Sequence, residues 1–198
     1  MEWLLELDRQ AFLAINGLHT AWLDPVMAFC SGKVTWIPLY LLILYLVWRR
    51  AGWGGLLWFT LGVAIAILLA DQLSVHLFKN TVQRLRPCHA PELQGLVYLP
   101  YGHCGGQYGF ISSHACNCMA VALFGTLFAR SKLLGWALFP WAVVVSLSRV
   151  YMGVHYPGDV LCGALFGLLV GIAVYFGICW MRILVARRIK KGANSNEK

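Results

Sequence analysis

The sequence predicts an all-α protein, a polytopic transmembrane helix bundle of about five spans plus one interfacial helix at the N-terminus, six helices in all. Three observations lead there. The 198 residues are 60% hydrophobic and only 12% charged, with a mean hydropathy of +0.67; a soluble domain carries about a quarter charged residues. The apolar residues are gathered into long runs. The basic residues sit between and after those runs, so the net charge of +8 reads as a topology signal, and no nucleic-acid partner is expected. No internal repeat, polar linker or composition shift divides the chain. Residues 1–185 read as a single transmembrane domain and 186–198 as a basic cytoplasmic tail.

The spans follow in order. The first lies within AWLDPVMAFCSGKVTWIPLYLLILYLVW and ends before Arg49 and Arg50. Its apolar part, VTWIPLYLLILYLVW, is short for a hydrocarbon core of about 30 Å. Either the helix starts near Leu23 and kinks at Gly32, or two pieces meet there. The second span is residues 54–78, the third starts near Ser113, and the fourth is LLGWALFPWAVVVSLS. Pro140 should bend the fourth without ending it. The fifth follows HYPGD. The N-terminal stretch MEWLLELDRQAFLAING begins acidic and lacks an uninterrupted apolar core, so it is not read as a signal peptide. Glu2, Glu6, Arg9 and Gln10 share one helical face, and Leu4, Leu7, Ala11, Phe12 and Ile15 the other. That pattern suits a helix lying in the membrane interface.

Alternation places Arg49, Arg50, Arg130, Lys132, Arg182, Arg187, Arg188, Lys190, Lys191 and Lys198 on one side, which the positive-inside rule makes cytoplasmic. The remaining six, Arg9, Lys33, Lys79, Arg84, Arg86 and Arg149, fall on the opposite side and need another explanation.

Three polar clusters far apart in sequence reach that same side. KNTVQRLRP carries Lys79 and Arg86 at the end of span two. GFISSHA carries Ser112, Ser113 and His114 at the start of span three. SRVYMGVHYPGD carries Arg149, His155 and Asp159 between spans four and five. Three cations, two of them guanidinium forks, together with helix N-termini at Ser112 or Ser113 and at Pro157, suit an anion such as phosphate. Asp159 stands four residues after His155, a spacing that lets a carboxylate orient an imidazole. His155 is then a nucleophile or base, and His114 an acid; the set fits phosphoryl transfer through a phosphohistidine.

These clusters resemble the three motifs of the type 2 phosphatidic acid phosphatase family of integral-membrane lipid phosphatases: K-x6-RP, PSGH and SR-x5-H-x3-D. The first and third match at every fixed position. The second departs, with Ile111 in place of proline and Ser113 in place of glycine. The resemblance covers the chain from about span two onward. It implies that His155 attacks phosphorus, Asp159 orients it, and His114 protonates the leaving oxygen. It also implies that Lys79, Arg86, Ser112 and Arg149 bind the phosphoryl oxygens, with a backbone N–H near Ser113. No cofactor or metal is implied. The expected partners are a phosphorylated lipid and the bilayer, with the site on the extracytoplasmic (periplasmic) face of the inner membrane. Undecaprenyl diphosphate, phosphatidylglycerophosphate, phosphatidic acid and a lipid A phosphate are all open. A vanadate-dependent peroxidase shares the motifs but is soluble. A non-catalytic scaffold or transporter would be expected to lack some of these residues.

Blander readings hold elsewhere. Lys33 and Arg84 read as snorkelling interface residues. Asp71, inside span two, reads as structural, and His76, His89 and His103 as loop or interfacial residues. The loop from 79 to 111 is long for a helix connection. On an oxidising side, its Cys88 and Cys104 are a candidate disulfide bracing Arg86-Pro87, with two free thiols as the alternative.

Overall fold

Gly52 decides how the first long apolar stretch is used. In the computed structural model, which describes residues 2–196, helix α3 covers Ile37–Leu73, yet Gly52 inside it has φ 65° and ψ −170°. That conformation is open to glycine and strained for other residues. An unbroken helix would hold Trp36 and Asp71 about 50 Å apart at its rise per residue. Both instead line one cavity, so 37–51 and 53–73 are the two arms of a hairpin.

The start of the first span is resolved in favour of two pieces. Helix α1 covers Glu2–Asn16 and α2 covers Leu23–Ser31. Gly32 then leaves the helix with extended backbone, a 3-10 turn spans Val34–Trp36, and α3 opens with Pro38 in its first turn. After the second arm, Ser74–Lys79 forms a π-helical turn, followed by the single turn α4, Asn80–Val82. The remaining helices are α5 (Ser113–Ala129), α6 (Lys132–Tyr151, unbroken through Pro140) and α7 (Pro157–Asn196). Residues 34–82, 132–151 and 157–192 are long and apolar enough to cross a membrane, and α5 adds a shorter apolar helix of 17 residues. With the hairpin counted as two arms, the bundle has five crossings and the protein is an integral membrane protein. The basic tail continues α7 without a break as far as Asn196.

α5 is the hub, packed on α3, α6 and α7. Its closest approach is to α7, where Gly163, Gly167 and Gly171 repeat every fourth residue. A Cβ on each would stand 2.5, 2.3 and 2.8 Å from the carbonyl oxygens of Ser112, Cys116 and Ala120. Small residues let helix backbones approach in a membrane, where no water drives packing. The stripe holds the two helices that carry His114 and Asp159 in contact.

α1 docks differently from its expected apolar face. Its inward stripe is Asp8, Phe12 and Asn16, with Phe12 and Asn16 buried, while Leu4 and Leu7 are about half exposed. Phe12 joins Ala90, Leu93, Val150 and Tyr156 in a small core. The Asn16 amide donates to the carbonyls of Tyr98 (2.9 Å) and Tyr151 (2.8 Å) and accepts from the Tyr98 N–H. Asp24 of α2 accepts from both the Tyr98 and Tyr151 hydroxyls at 2.7 Å. The long loop is thereby tied to α1, α2 and α6. Polar anchors outweighed the hydrophobic stripe because these buried carbonyls need donors.

Candidate active site

A cavity of about 600 Å³ opens between the α3 arms, α5 and α6. Its walls are apolar over much of their length, with Trp36, Tyr40, Phe59, Val63, Ile67 and Trp141. One end is polar, lined by Lys79, Arg86, Ser113, His114, Arg149 and His155. Three sequence clusters separated by dozens of residues therefore meet at one place.

His155 lies in the turn between α6 and α7 and is 2% exposed. Its Nδ1 faces Oδ2 of Asp159 at 3.5 Å, longer than a good hydrogen bond, and has no closer partner. The attraction there is chiefly electrostatic. Burial pushes the imidazole down to about 4, against the opposing pull of Asp159. The pair spans the N-terminus of α7, with His155 ahead of Pro157 and Asp159 in the first turn. Asp159 Oδ2 also accepts from the Tyr156 N–H at 3.0 Å.

His114 occupies the first turn of α5 and lines the cavity. The two serines before it divide their work. Ser112 is fully buried and caps α5, its hydroxyl turned to the Ala115 N–H at 3.5 Å and its own N–H donating to the Asp159 carbonyl at 2.9 Å. Ser112 is not among the residues lining the cavity, in contrast to the expectation that it contacts the phosphoryl group; capping the helix turns its hydroxyl away. Ser113 faces the cavity, and its Oγ accepts from Lys79 Nζ at 2.8 Å and pairs with Ser74 Oγ at 2.7 Å.

Arg86 is aimed by the loop. Its Nη1 donates to the Cys104 carbonyl at 3.0 Å and its Nε to the Tyr108 carbonyl at 3.3 Å. The Sγ atoms of Cys88 and Cys104 are paired, with Cα atoms 6.0 Å apart, so the segment carrying Arg86 is cross-linked to the carbonyl that holds it. Arg149, in the last turn of α6, donates to Ser31 at the end of α2. Gly109 lets the loop pass, since a Cβ there would stand 3.0 Å from Asp159 Oδ2 and 3.2 Å from Arg86 Cγ.

Three residues given blander readings lie at or beside the site. Lys33 and Asp71 both line the cavity. Arg84 is no snorkelling residue: its Nη1 pairs with Asp159 Oδ1 at 3.0 Å and its Nη2 with Asp8 Oδ2 at 2.8 Å. Its guanidinium lies 3.9 Å above the Tyr156 ring. No motif signalled Arg84 or Asp8. The remaining site-side cation, Arg9, pairs with Glu6 and Glu92 at the surface. His76, His89 and His103 do not line the cavity. Among the described residues, one grouping has metal-ligand closeness, Cys88, His89 and Cys104, and it lies outside the cavity.

Residues 55–181 match the PAP2 superfamily. The chain is 37% identical over 178 residues to a lipid A 4′-phosphatase of Bacteroides thetaiotaomicron, covering 89% of this chain and 79% of that one. It is 31% identical to the putative undecaprenyl-diphosphatase YbjG of Escherichia coli, over 96% of this chain and 98% of the other. Among solved structures it resembles a transmembrane PAP2-type phosphatidylglycerolphosphate phosphatase from Bacillus subtilis, with a TM-score of 0.65 at 24% identity over 88% of this chain and 85% of that one; this likeness speaks to the fold. Sequence match and helix arrangement agree: the chain belongs to the PAP2 superfamily.

Proposed function

We propose that this protein is a membrane lipid phosphatase that removes a phosphate monoester from an acylated sugar lipid of the lipid A type, at the extracytoplasmic face of the inner membrane. The hydrolase class and the lipid phosphate ester follow from its family and relatives. The sugar-lipid substrate is favoured by the two lipid A 4′-phosphatase relatives, 37% and 36% identical. The observation that carries the reading is the cavity itself. It joins four cations, Lys33, Lys79, Arg86 and Arg149, and two histidines to an apolar slot between membrane helices, which suits a phosphate in water attached to chains in the bilayer.

In this reading Lys79, Arg86 and Arg149 hold the phosphoryl oxygens and offset the charge that spreads over them in the transition state. Asp159 faces Nδ1 of His155, so Nε2 attacks phosphorus. A P–N bond forms as the P–O bond to the lipid breaks. His114 gives its proton to the departing oxygen. Water then attacks the phosphohistidine, losing a proton to His114, and phosphate and free His155 are released. The extracytoplasmic assignment rests on the basic residues at the far helix ends.

The test is phosphate release by purified protein, without added metal, from lipid A, undecaprenyl diphosphate, phosphatidylglycerophosphate and phosphatidic acid, with His155→Ala as the blank. Highest kcat/KM on lipid A is expected. Preference for undecaprenyl diphosphate would move the substrate to the polyprenyl class, and no release from any of the four would end the phosphatase reading.

A further inference from the structure

Asp159 is fully buried, and a buried carboxylate is costly unless charged or hydrogen-bonded partners surround it. The Tyr156 N–H and the imidazole serve Oδ2. Oδ1 is served by Arg84, a residue of the long loop 75 positions away. The same guanidinium reaches Asp8 of the N-terminal helix through its other terminal nitrogen. Asp8 is fixed in turn, its Oδ1 accepting from the Gly158 N–H at 2.7 Å, where the N-terminus of α7 favours an anion. A Cβ on Gly158 would stand 2.8 Å from Asp8 Oδ2. The Arg84 carbonyl accepts from the Gly109 N–H at 2.8 Å, so its backbone is pinned too.

We propose that Arg84, braced by Asp8, is a positioning residue for the nucleophile: it holds the Asp159 carboxylate in place and aimed at His155, and makes α1 a working part of the site. The proposal rests on the reading of His155 as the nucleophile. One planar fork bridging two carboxylates is a task for arginine; a lysine ammonium reaches one of them well. Without Arg84 the buried carboxylate loses its counter-charge and the side-chain contact that fixes Oδ1, and is free to turn away from the imidazole. His155 then loses the partner that orients its ring and supports its basicity, an effect that mutation of outer-shell partners commonly shows. Substrate binding by Lys79, Arg86 and Arg149 does not depend on this chain of contacts, so kcat should suffer and KM should not.

The test compares Arg84→Met, Arg84→Lys, Asp8→Asn and the double variant Asp8→Asn/Arg84→Met, with Arg9→Gln as control. Arg9 also joins α1 to the loop through an ion pair, but its partners are Glu6 and Glu92. Arg84→Met should lower kcat at least about tenfold with KM within about threefold. Arg84→Lys should recover part of the loss, Asp8→Asn should lose less, and the double variant should be no worse than Arg84→Met alone, as coupled residues behave. Arg9→Gln should match wild type. A wild-type kcat in Arg84→Met, or an equal loss in Arg9→Gln, would overturn the proposal. Should Arg84→Met not fold, Arg84→Lys and Asp8→Asn give the same comparison. A second readout needs no turnover: the rate at which diethyl pyrocarbonate modifies His155, followed by peptide mass spectrometry. It should fall in the Arg84 and Asp8 variants and hold in Arg9→Gln; an unchanged rate overturns the proposal. Wild-type protein inert on every lipid phosphate would overturn the phosphatase reading, with this readout still deciding whether Arg84 positions His155.

Discussion

Lys79 Nζ donates to Ser113 Oγ at 2.8 Å, joining residues 34 apart in sequence. Ser113 stands where the family pattern has glycine, so this contact belongs to the departure. The hydroxyl competes with an incoming phosphoryl oxygen for the ammonium. Ser113→Gly should therefore lower KM roughly twofold to fivefold with little change in kcat, a shift of about 1 kcal/mol that matches one hydrogen bond. A raised KM would mean that the hydroxyl itself contacts substrate.

His155→Ala should reduce turnover by at least about a thousandfold while the purified protein keeps its helical circular dichroism, because no covalent intermediate forms. His114→Ala should lose most on lipid phosphates with poor leaving groups and least on an aryl phosphate. Equal losses on both would remove His114 from the role of acid.

The pH profile should carry the mark of burial. With His155 pushed down to about 4, its ring stays neutral and nucleophilic well below the ordinary histidine value of about 6.5. The acid limb of kcat/KM, which reports the free enzyme, should lie nearer 4 than 6.5 once substrate ionisation is subtracted. The same shift sets a sign for stability. Between 6.5 and 4 the unfolded chain binds a proton that the folded site refuses, so this contribution is whole above 6.5 and is lost as pH falls toward 4. An acid limb near 6.5 would show that the ring is not desolvated in solution.

The glycine stripe should be intolerant of side chains. Gly167→Ala sets a Cβ 2.3 Å from the Cys116 carbonyl, and overpacking of this kind costs about 1–3 kcal/mol. The thermal unfolding midpoint should drop, whereas Gly177→Ala, where a Cβ meets nothing within 4 Å, should leave it unchanged.

Sidedness is tested with single cysteines at two open positions, Gly106 and Gly192, in a chain whose five unpaired cysteines are replaced. An impermeant thiol reagent on intact cells should label the first and miss the second until the membrane is opened. Mass mapping of the unreduced protein should recover Cys88 and Cys104 as linked peptides. The reverse labelling, with both thiols free, would place the site at the inner leaflet.

The sequence by itself determined the class of architecture and where to look for the site. Hydropathy runs mark spans because the bilayer core demands apolar length, and alternation of spans then brings Lys79, His114 and His155 to one end. Both are local or counting properties, readable without coordinates. Tertiary structure decided what no local pattern encodes. Arg84 looked like an interface cation until folding set it between Asp8 and Asp159, 76 and 75 positions away. Ser112 and Ser113 are neighbours of the same type, yet the start of α5 turns one into a helix cap and the other toward Lys79. Lys33 and Asp71, toward opposite ends of one continuous helical stretch, share the cavity because Gly52 folds α3 back on itself. Ion pairs and helix crossings depend on residues far apart in the chain, and their energies exist only once the bundle has closed.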